Sequence, residues 1–273
     1  MSEPENLPVP RTEAGRAGLD AVRAAPGRAL VALDYDGTLS PIVPDPRRAF
    51  PADGALDVLR RLAGAVGTLA IVTGRPAAEV VELGGLDAVP GLLVAGQYGA
   101  ERWQDGTLEL PDPPPGVATV RDALPGLLAQ LGADPGVWVE DKRLALAVHT
   151  RRAADPDGAL AALDAPLRRV AEDNGLEPHP GRLVLELRPP GFDKGAALRR
   201  LVEAAAPAAV LFGGDDVGDL PAFALVEALR ANGLPGVTVA AASAEATAVA
   251  ARADLAVDGP AGMVALLGSL VPA

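Results

Sequence analysis

The chain has 273 residues, of which 49% are hydrophobic, so it can bury one large core or two modest ones. Its net charge of −12 argues against binding to nucleic acid or to an anionic membrane. The absence of cysteine excludes disulfides, thiolate catalysis and zinc–thiolate sites, and is compatible with a reducing cytoplasm. The acidic, proline-rich start is unlike a secretory signal, and no apolar run reaches the roughly 18 residues of a membrane-spanning helix. We therefore expect a cytoplasmic protein.

The first third of the chain alternates between helical and strand patterns. Its short apolar runs are continuous, which is typical of parallel strands that are buried on both faces. The predicted elements are a helix near 12–25, the strand Ala29–Leu33, a helix at 52–65, the strand Thr68–Val72, a helix from Pro76 and the strand Leu92–Ala95. This alternation predicts an α/β fold with a Rossmann-like parallel sheet.

The pattern changes in the middle of the chain. The segment PDPPPG at 111–116 indicates a linker or turn. Strand patterns at 137–141 and 144–150 predict a hairpin, a helix is predicted at 155–174, and a turn at HPGR (179–182) precedes a strand at Leu183–Leu187. Hairpin, helix and strand together predict an α+β unit with an antiparallel sheet.

The first pattern then returns. We predict a helix at 193–205, a strand at 208–213, a helix at 220–230, a strand at 236–240, a helix near 244–251, a strand at 254–257 and a last helix. The simplest interpretation is one α/β core, residues 1–108 and 189–273, interrupted by an α+β insertion at 109–188.

Three predicted strands of the core end in polar side chains. They are Asp34, Asp36 and Thr38 after the first strand, Thr73 and Arg75 after the second, and Asp215, Asp216 and Asp219 after the strand at 208–213. Active sites of open parallel sheets lie at these strand ends. Crowded carboxylates repel one another unless a cation neutralises them, and oxygen ligands suit Mg²⁺. The sequence therefore predicts a magnesium site at this edge of the sheet.

A phosphate group would complete such a site. Only Lys142 and Lys194 among the 24 basic residues are lysine, which indicates positions that need a compact ammonium. Lys194 is expected to begin a helix, where a cation and the helix N-terminus together favour an anion. Thr73 and the backbone of Gly74 can donate to phosphate oxygens. The expected chemistry is attack of a carboxylate on phosphorus, followed by hydrolysis of the aspartyl phosphate.

Four segments resemble, in order, the motifs of the haloacid dehalogenase superfamily of phosphatases. They are DYDGTL at 34–39, TGR at 73–75, Lys194 and GDDVGD at 214–219. The resemblance implies that Asp34 is the nucleophile and that Asp36 is the general acid and base. It implies that Thr73 and Lys194 hold the phosphoryl group, and that Mg²⁺ is held by Asp34, the backbone carbonyl of Asp36, Asp215 and, directly or through water, Asp219. The role of Asp216 stays open.

The insertion resembles the type C2 cap of that superfamily, and three segments are similar to trehalose-6-phosphate phosphatases. These are DGTLSPIVPDPRRA, VEDKRLALAVHTR and LELRPPGFDKG. The resemblance implies hydrolysis of trehalose 6-phosphate, a step of trehalose biosynthesis, and a cap that closes over the sugar. The sugar-binding positions that it implies are Glu101, Lys142, His149, Arg151, Glu186 and Arg188. Charged side chains of both signs can hydrogen-bond to sugar hydroxyls.

Two segments depart from the family pattern. The family often has His where this chain has Gln97-Tyr98-Gly99, and it often has GDDxTDEDAF where this chain has GDDVGDLPAF. The alternatives are therefore a phosphatase for another sugar phosphate, such as sucrose phosphate or mannosyl-3-phosphoglycerate, a phosphomutase, or a non-catalytic sugar-phosphate sensor. We expect a monomer whose partner is a small sugar phosphate.

Overall fold

The computed structural model describes residues 8–242 and 247–270 and places their strands in two separate sheets. The chain divides in the same way into a core unit, Met1–Leu110 with Asp193–Ala273, and an inserted unit, Pro111–Phe192. These limits lie within a few residues of the insertion predicted at 109–188. Elements are numbered along the whole chain.

The core unit contains an eight-stranded sheet. Its strands are β1 (Ala29–Leu33), β2 (Thr68–Val72), β3 (Leu93–Gly96), β4 (Glu101–Gln104), β5 (Thr107–Glu109), β10 (Ala209–Gly214), β11 (Gly236–Ala242) and β12 (Leu255–Asp258). The strands lie in the order β12-β11-β10-β1-β2-β3-β4-β5, and the six from β12 to β3 are parallel. The sheet therefore confirms the predicted α/β class.

Helices cover both faces of this sheet. They are α1 (Glu13–Ala24), α2 (Ala55–Ala65), α3 (Ala77–Gly84), α6 (Lys194–Ala205), α7 (Leu220–Ala231), α8 (Thr247–Arg252) and α9 (Gly259–Gly268). Val31 and Leu33 pack with α1, α2, α3 and α9, whereas Leu30 and Ala32 pack with α6, α7 and α8. Successive side chains of a strand point to opposite faces, so β1 must be apolar at every position.

Strand order determines which loops meet. β1 lies between β10 and β2, with Leu33 opposite Gly213 on one side and Ile71 on the other. All three strands are parallel, so the residues that follow them lie at one edge of the sheet. This is the edge for which the sequence predicts the catalytic groups.

The inserted unit has a four-stranded antiparallel sheet and two helices. Its elements are α4 (Pro115–Gln130), β6 (Trp138–Asp141), β7 (Leu146–His149), α5 (Pro156–Glu172), β8 (Glu177–Gly181) and β9 (Val184–Arg188), with the strand order β6-β7-β9-β8. Leu146, Val148, Leu185 and Leu187 form a buried core with both helices. The opposite face of the sheet carries charged residues.

Two interpretations of the inserted unit were only partly right, because residues 111–114 form a linker and residue 182 lies in a turn as predicted. The segment at 111–116 is not only a linker, because Pro115 begins α4, where its missing N–H costs nothing. The segment at 179–182 is not simply a turn, because His179, Pro180 and Gly181 belong to β8. β8 is an edge strand, and an edge strand tolerates proline.

Two further differences concern the core unit. The antiparallel strands β4 and β5 form a hairpin at the edge of the sheet that the sequence patterns did not indicate. The helix predicted near 244–251 is observed as α8 from Thr247, while the earlier part of that prediction, 244–246, lies outside the described residues. Within 8–242 and 247–270, no helix combines the length and the apolar character needed to cross a membrane.

Candidate active site

Three buried polar residues continue the parallel strands at the predicted edge. The N–H of Asp34 donates to the carbonyl of Gly213 at 2.8 Å, which extends the pairing of β1 with β10 by one residue. The N–H of Thr73 donates to the carbonyl of Ala95 at 3.0 Å and extends β2 in the same way. Asp215 directly follows β10. Asp34, Thr73 and Asp215 are all buried, and regular backbone pairing holds the positions of Asp34 and Thr73.

Lys194 joins two of the carboxylates. It is the first residue of α6, and its Nζ atom lies 2.8 Å from Oδ1 of Asp34 and 2.8 Å from Oδ1 of Asp219. Burial acts to lower the pKa of Lys194, but Asp219 and Asp34 raise it well above its ordinary value. The side chain is therefore a charged ammonium inside the site.

Asp219 organises the loop that carries Asp215. Its Oδ2 atom accepts from the N–H groups of Asp215 and Asp216, at 3.0 and 3.1 Å. The side chain of Asp216 accepts from the N–H of Gly218 at 2.8 Å, so Asp216 and Asp219 cap the same turn reciprocally. The Asp216 side chain therefore helps to hold this loop in place.

The carboxylates of Asp34, Asp215 and Asp219 fit a hard cation. One oxygen from each lies within 4.8 Å of the others, and all three residues are buried. Burial raises the pKa of Asp34 well above its ordinary value, against the effect of Lys194, and Asp219 and Asp215 add to the rise. Burial and the neighbouring carboxylates likewise raise the pKa of Asp215 to about 7. One ammonium cannot neutralise three buried carboxylates, and a divalent cation would favour their ionised forms.

The turn after Asp36 packs against Asp215. Gly37 has a φ of +73°, and a Cβ atom at this position would collide with the Asp215 carboxylate. Thr38 donates from its hydroxyl to Oδ1 of Asp215 at 3.3 Å. Tyr35 is fully buried and donates to the carbonyl of Ala49 at 2.8 Å. The DYDGT segment therefore combines reactive groups with residues that set the shape of the loop.

Asp36 is held by a residue to which the sequence-based interpretation assigned no role. Arg75 donates from Nε to Oδ2 of Asp36 at 2.7 Å and from Nη2 to Oδ1 at 2.8 Å. Its Nη1 atom donates to Glu79 at 2.6 Å, and its backbone N–H donates to Oγ1 of Thr73 at 3.1 Å. The signal that could have identified Arg75 is its place as the third residue of TGR.

Glu101 lies in the core unit with both carboxylate oxygens engaged. It accepts from the N–H of Ala77, the first residue of α3, and from the side chain of Gln97, both at 2.7 Å. A carboxylate at a helix N-terminus is favourable, so Glu101 stabilises the start of α3. Its contact with a sugar stays a prediction.

In the inserted unit, Glu186 is the centre of a cluster of opposite charges. The Nζ atom of Lys142 lies 2.9 Å from one carboxylate oxygen of Glu186, and Nε of Arg188 lies 3.9 Å from the other. Ala147 of β7 and His179 of β8 are the cross-strand neighbours of Glu186. Three of the predicted sugar-binding residues are thus brought together on one face of the sheet.

His149 and Arg151 lie near the other end of β7. The Nε2 atom of His149 lies 2.8 Å from a carboxylate oxygen of Glu140, and its ring stacks on Trp138 with 4.5 Å between ring centroids. The guanidinium of Arg152 lies 4.4 Å from the centroid of the Trp138 ring. Arg151 follows the strand and is exposed. These positions do not assign a ligand to either residue.

The family model and the curated relatives that match this sequence describe trehalose phosphatases. The trehalose-phosphatase family model matches residues 32–259. The trehalose-phosphate phosphatase of Mycobacterium marinum is 38% identical over 216 residues, which cover 76% of this chain and 53% of that protein. The chain spans about half the length of the curated relatives it matches.

Solved structures are similar over nearly the whole chain. The trehalose-6-phosphate phosphatase of Aspergillus fumigatus is 29% identical with a TM-score of 0.67, covering 96% of this chain and 98% of that one. A haloacid dehalogenase-like hydrolase from Bacteroides thetaiotaomicron has a TM-score of 0.64 and covers 88% of this chain and 98% of its own. Its identity is 16%, so that likeness concerns the fold alone.

Proposed function

Since the chain belongs to the trehalose-phosphatase family, we propose that it hydrolyses trehalose 6-phosphate to trehalose and phosphate. The observation that carries this proposal is the buried group of Asp34, Lys194, Asp215 and Asp219 at the carboxyl edge of a parallel sheet. A carboxylate beside a charged ammonium can receive and hold a phosphoryl group.

The proposed reaction has two steps and uses two carboxylates. In the first, an oxygen of Asp34 attacks phosphorus, the bond from phosphorus to the sugar oxygen breaks, and Asp36 gives its proton to the departing oxygen. In the second, Asp36 takes a proton from water, the water oxygen attacks phosphorus, and the bond to Asp34 breaks. Phosphate leaves, and both carboxyl groups return to their starting forms.

The other groups of the site bind the phosphoryl oxygens. Lys194, the hydroxyl of Thr73 and the N–H of Gly74 would donate to them. Asp34, the backbone carbonyl of Asp36, and Asp215 would hold Mg²⁺, with Asp219 directly or through water. When bound, Mg²⁺ offsets the repulsion between the carboxylates and the phosphate and neutralises charge that develops on the phosphoryl oxygens.

Residues of the inserted unit would recognise the sugar. The paired charges of Lys142, Glu186 and Arg188 supply both donors and acceptors for neighbouring hydroxyls. We propose that His149 and Arg151 of this unit, and Glu101 of the core unit, complete the set. We further propose that the protein is a cytoplasmic monomer; the absence of cysteine is compatible with a reducing cytoplasm.

Phosphate release from a panel of sugar phosphates tests this proposal. The purified chain is assayed with trehalose 6-phosphate, sucrose phosphate and mannosyl-3-phosphoglycerate, in Mg²⁺ and in excess chelator, with Asp34→Asn as the inactive control. We expect kcat/KM to be highest for trehalose 6-phosphate and activity to be lost with the chelator. A higher value for another ester would reassign the substrate, and binding without phosphate release would indicate a sensor.

A further inference from the structure

Both carboxylate oxygens of Asp36 are engaged by one guanidinium. The two N–H···O contacts from Arg75 are 2.7 and 2.8 Å long and join Nε to Oδ2 and Nη2 to Oδ1. Such a paired contact restrains the position and the plane of the carboxylate together. The Asp36 side chain is 37% exposed, and Arg75, at 15%, is the more enclosed partner.

Arg75 is itself held on two sides. Its Nη1 atom donates to Glu79 in the first turn of α3 at 2.6 Å. Its backbone carbonyl accepts from the N–H of Gln97 at 2.8 Å, and its N–H donates to Thr73 at 3.1 Å. The start of α3 is in turn fixed by Glu101, which accepts from the N–H of its first residue. The guanidinium is therefore a fixed support for Asp36.

The loop that carries Asp36 fixes its backbone, whereas the Asp36 side chain is held by Arg75. The N–H of Gly37 donates to the carbonyl of Ser40 at 2.7 Å, which closes the turn next to Asp36. Across residues 8–242 and 247–270, the hydrogen bonds seen to the Asp36 carboxylate come from Arg75. Each carboxylate oxygen has a second lone pair that remains for proton exchange with a substrate.

We propose that Arg75 is a positioning residue that holds the Asp36 carboxylate in its proton-transferring orientation, and that Glu79 holds Arg75. This inference rests on the proposed function, in which Asp36 exchanges a proton with the leaving oxygen. A catalytic group that is already held in the reactive geometry raises the rate, because the entropy cost of orienting it is no longer part of the activation barrier.

A comparison of two leaving groups distinguishes a role in positioning Asp36 from a general structural role of Arg75. When the first step breaks the bond from phosphorus to a sugar oxygen, that oxygen must take the Asp36 proton. When the same step releases p-nitrophenolate, the anion is stable and needs no proton. The ratio kcat/KM includes only the steps up to departure of the first product, so it is independent of later hydrolysis of the phosphoenzyme.

The experiment compares kcat/KM for trehalose 6-phosphate and for p-nitrophenyl phosphate in Arg75→Gln and Arg75→Lys. For Arg75→Gln we expect a loss of about 10²-fold on the sugar phosphate, the scale of general acid assistance, and a loss below about threefold on the aryl ester. Arg75→Lys keeps the positive charge but cannot donate two parallel hydrogen bonds to the carboxylate. Its loss of kcat/KM on the sugar phosphate should therefore be intermediate. Glu79→Gln should show a smaller loss with the same selectivity.

The matched control is Arg252→Gln, which removes an exposed ion pair with Glu227 at 3.1 Å elsewhere in the core unit. It should leave both kcat/KM values unchanged. Equal losses on both esters in Arg75→Gln, or no loss on the sugar phosphate, would overturn the positioning role alone. A wild-type chain that releases phosphate from neither ester would overturn the proposed function as well. If thermal unfolding shows that Arg75→Gln does not fold, kcat/KM of Arg75→Lys is compared on the two esters instead. Equal losses on both esters, or no loss on the sugar phosphate, would again overturn the positioning role.

Discussion

The Nζ atom of Lys194 lies 2.8 Å from Oδ1 of Asp34, although both side chains are buried. Asp34 directly follows β1 and Lys194 begins α6, so the contact depends on the folded core. The attraction between the ammonium and the carboxylate offsets part of the cost of removing both charges from water. The same pair leaves a compact positive charge next to the proposed nucleophile.

Replacing Asp34 with Asn tests the nucleophile. Asn cannot form the phosphoenzyme, so we expect Asp34→Asn to lower kcat on trehalose 6-phosphate on the order of 10⁴-fold or more. Phosphate release is the measurement, and thermal unfolding checks that the variant is folded. Turnover close to wild type would assign the nucleophile to another residue.

Replacing Asp36 with Asn tests proton transfer. The amide cannot give a proton to the sugar oxygen or take one from water, so kcat should fall by roughly 10²–10⁴-fold. Steady-state phosphate release measures this loss, and Asp57→Asn, in an exposed pair with Arg60, serves as the control. A variant with unchanged kcat would remove Asp36 from the chemistry.

Mg²⁺ should stabilise the folded chain. Asp34, Asp215 and Asp219 present buried oxygens that meet only in the fold, so a cation that binds them raises the free energy of unfolding. At 100 times its Kd, the gain is about 2.7 kcal/mol. Thermal unfolding with MgCl₂, compared with NaCl at equal ionic strength, measures it. The rise in Tm should be reduced in Asp215→Asn, and an equal rise in that variant would contradict this metal site.

Lys142 should affect sugar binding rather than phosphoryl transfer. Its ammonium pairs with Glu186 at 2.9 Å on the charged face of the inserted sheet. A hydrogen bond to a charged group is worth about 1.5–3 kcal/mol, so Lys142→Ala should raise KM for trehalose 6-phosphate by roughly tenfold or more. Hydrolysis of p-nitrophenyl phosphate should change little.

The control for Lys142→Ala is Arg168→Ala in the same unit, which removes a half-buried pair with Asp164 at 2.6 Å on α5. It should leave both substrates unaffected. A loss in Lys142→Ala that is equal on the sugar phosphate and on the aryl ester would remove the proposed sugar contact.

Asp254 should stabilise the core unit in a pH-dependent way. It accepts from the N–H and the hydroxyl of Thr238, both at 2.9 Å, from Arg230 at 2.9 Å and from the hydroxyl of Thr12. Burial acts to raise the pKa of Asp254, but these hydrogen bonds outweigh it and lower the pKa below its ordinary value. A lowered carboxyl pKa contributes stability that is present above about pH 4 and is lost as the pH falls through the folded pKa.

The measurement is the free energy of unfolding of Asp254→Asn as a function of pH. At pH 7 we expect a loss of about 2–4 kcal/mol, because Arg230 keeps its charge without a partner. The difference from wild type should shrink below about pH 4, where the wild-type carboxyl also loses its charge. A difference that is constant with pH would show that the charge of Asp254 does not contribute.

Local patterns were sufficient for the parallel strands of the core, although not for the antiparallel hairpin of β4 and β5. The runs at Ala29–Leu33 and Thr68–Val72, which are apolar except for Thr68, occur as β1 and β2 with the predicted limits. Other elements were missed where proline, which usually indicates a turn or linker, instead lies at a helix start or in an edge strand. Pro115 begins a helix instead of ending a linker, and Pro178 and Pro180 lie in an edge strand.

The sequence by itself determined which chemical groups follow which strands: two acids after β1, a threonine and an arginine after β2, and three acids after β10. Only the tertiary structure decided their partners. Arg75 holds Asp36 at 2.7 Å and Asp219 holds Lys194 at 2.8 Å, because strand order brings these remote segments to one edge of the sheet. An ion pair depends on distance in space, and local sequence patterns carry no information on distances between strands that are remote along the chain.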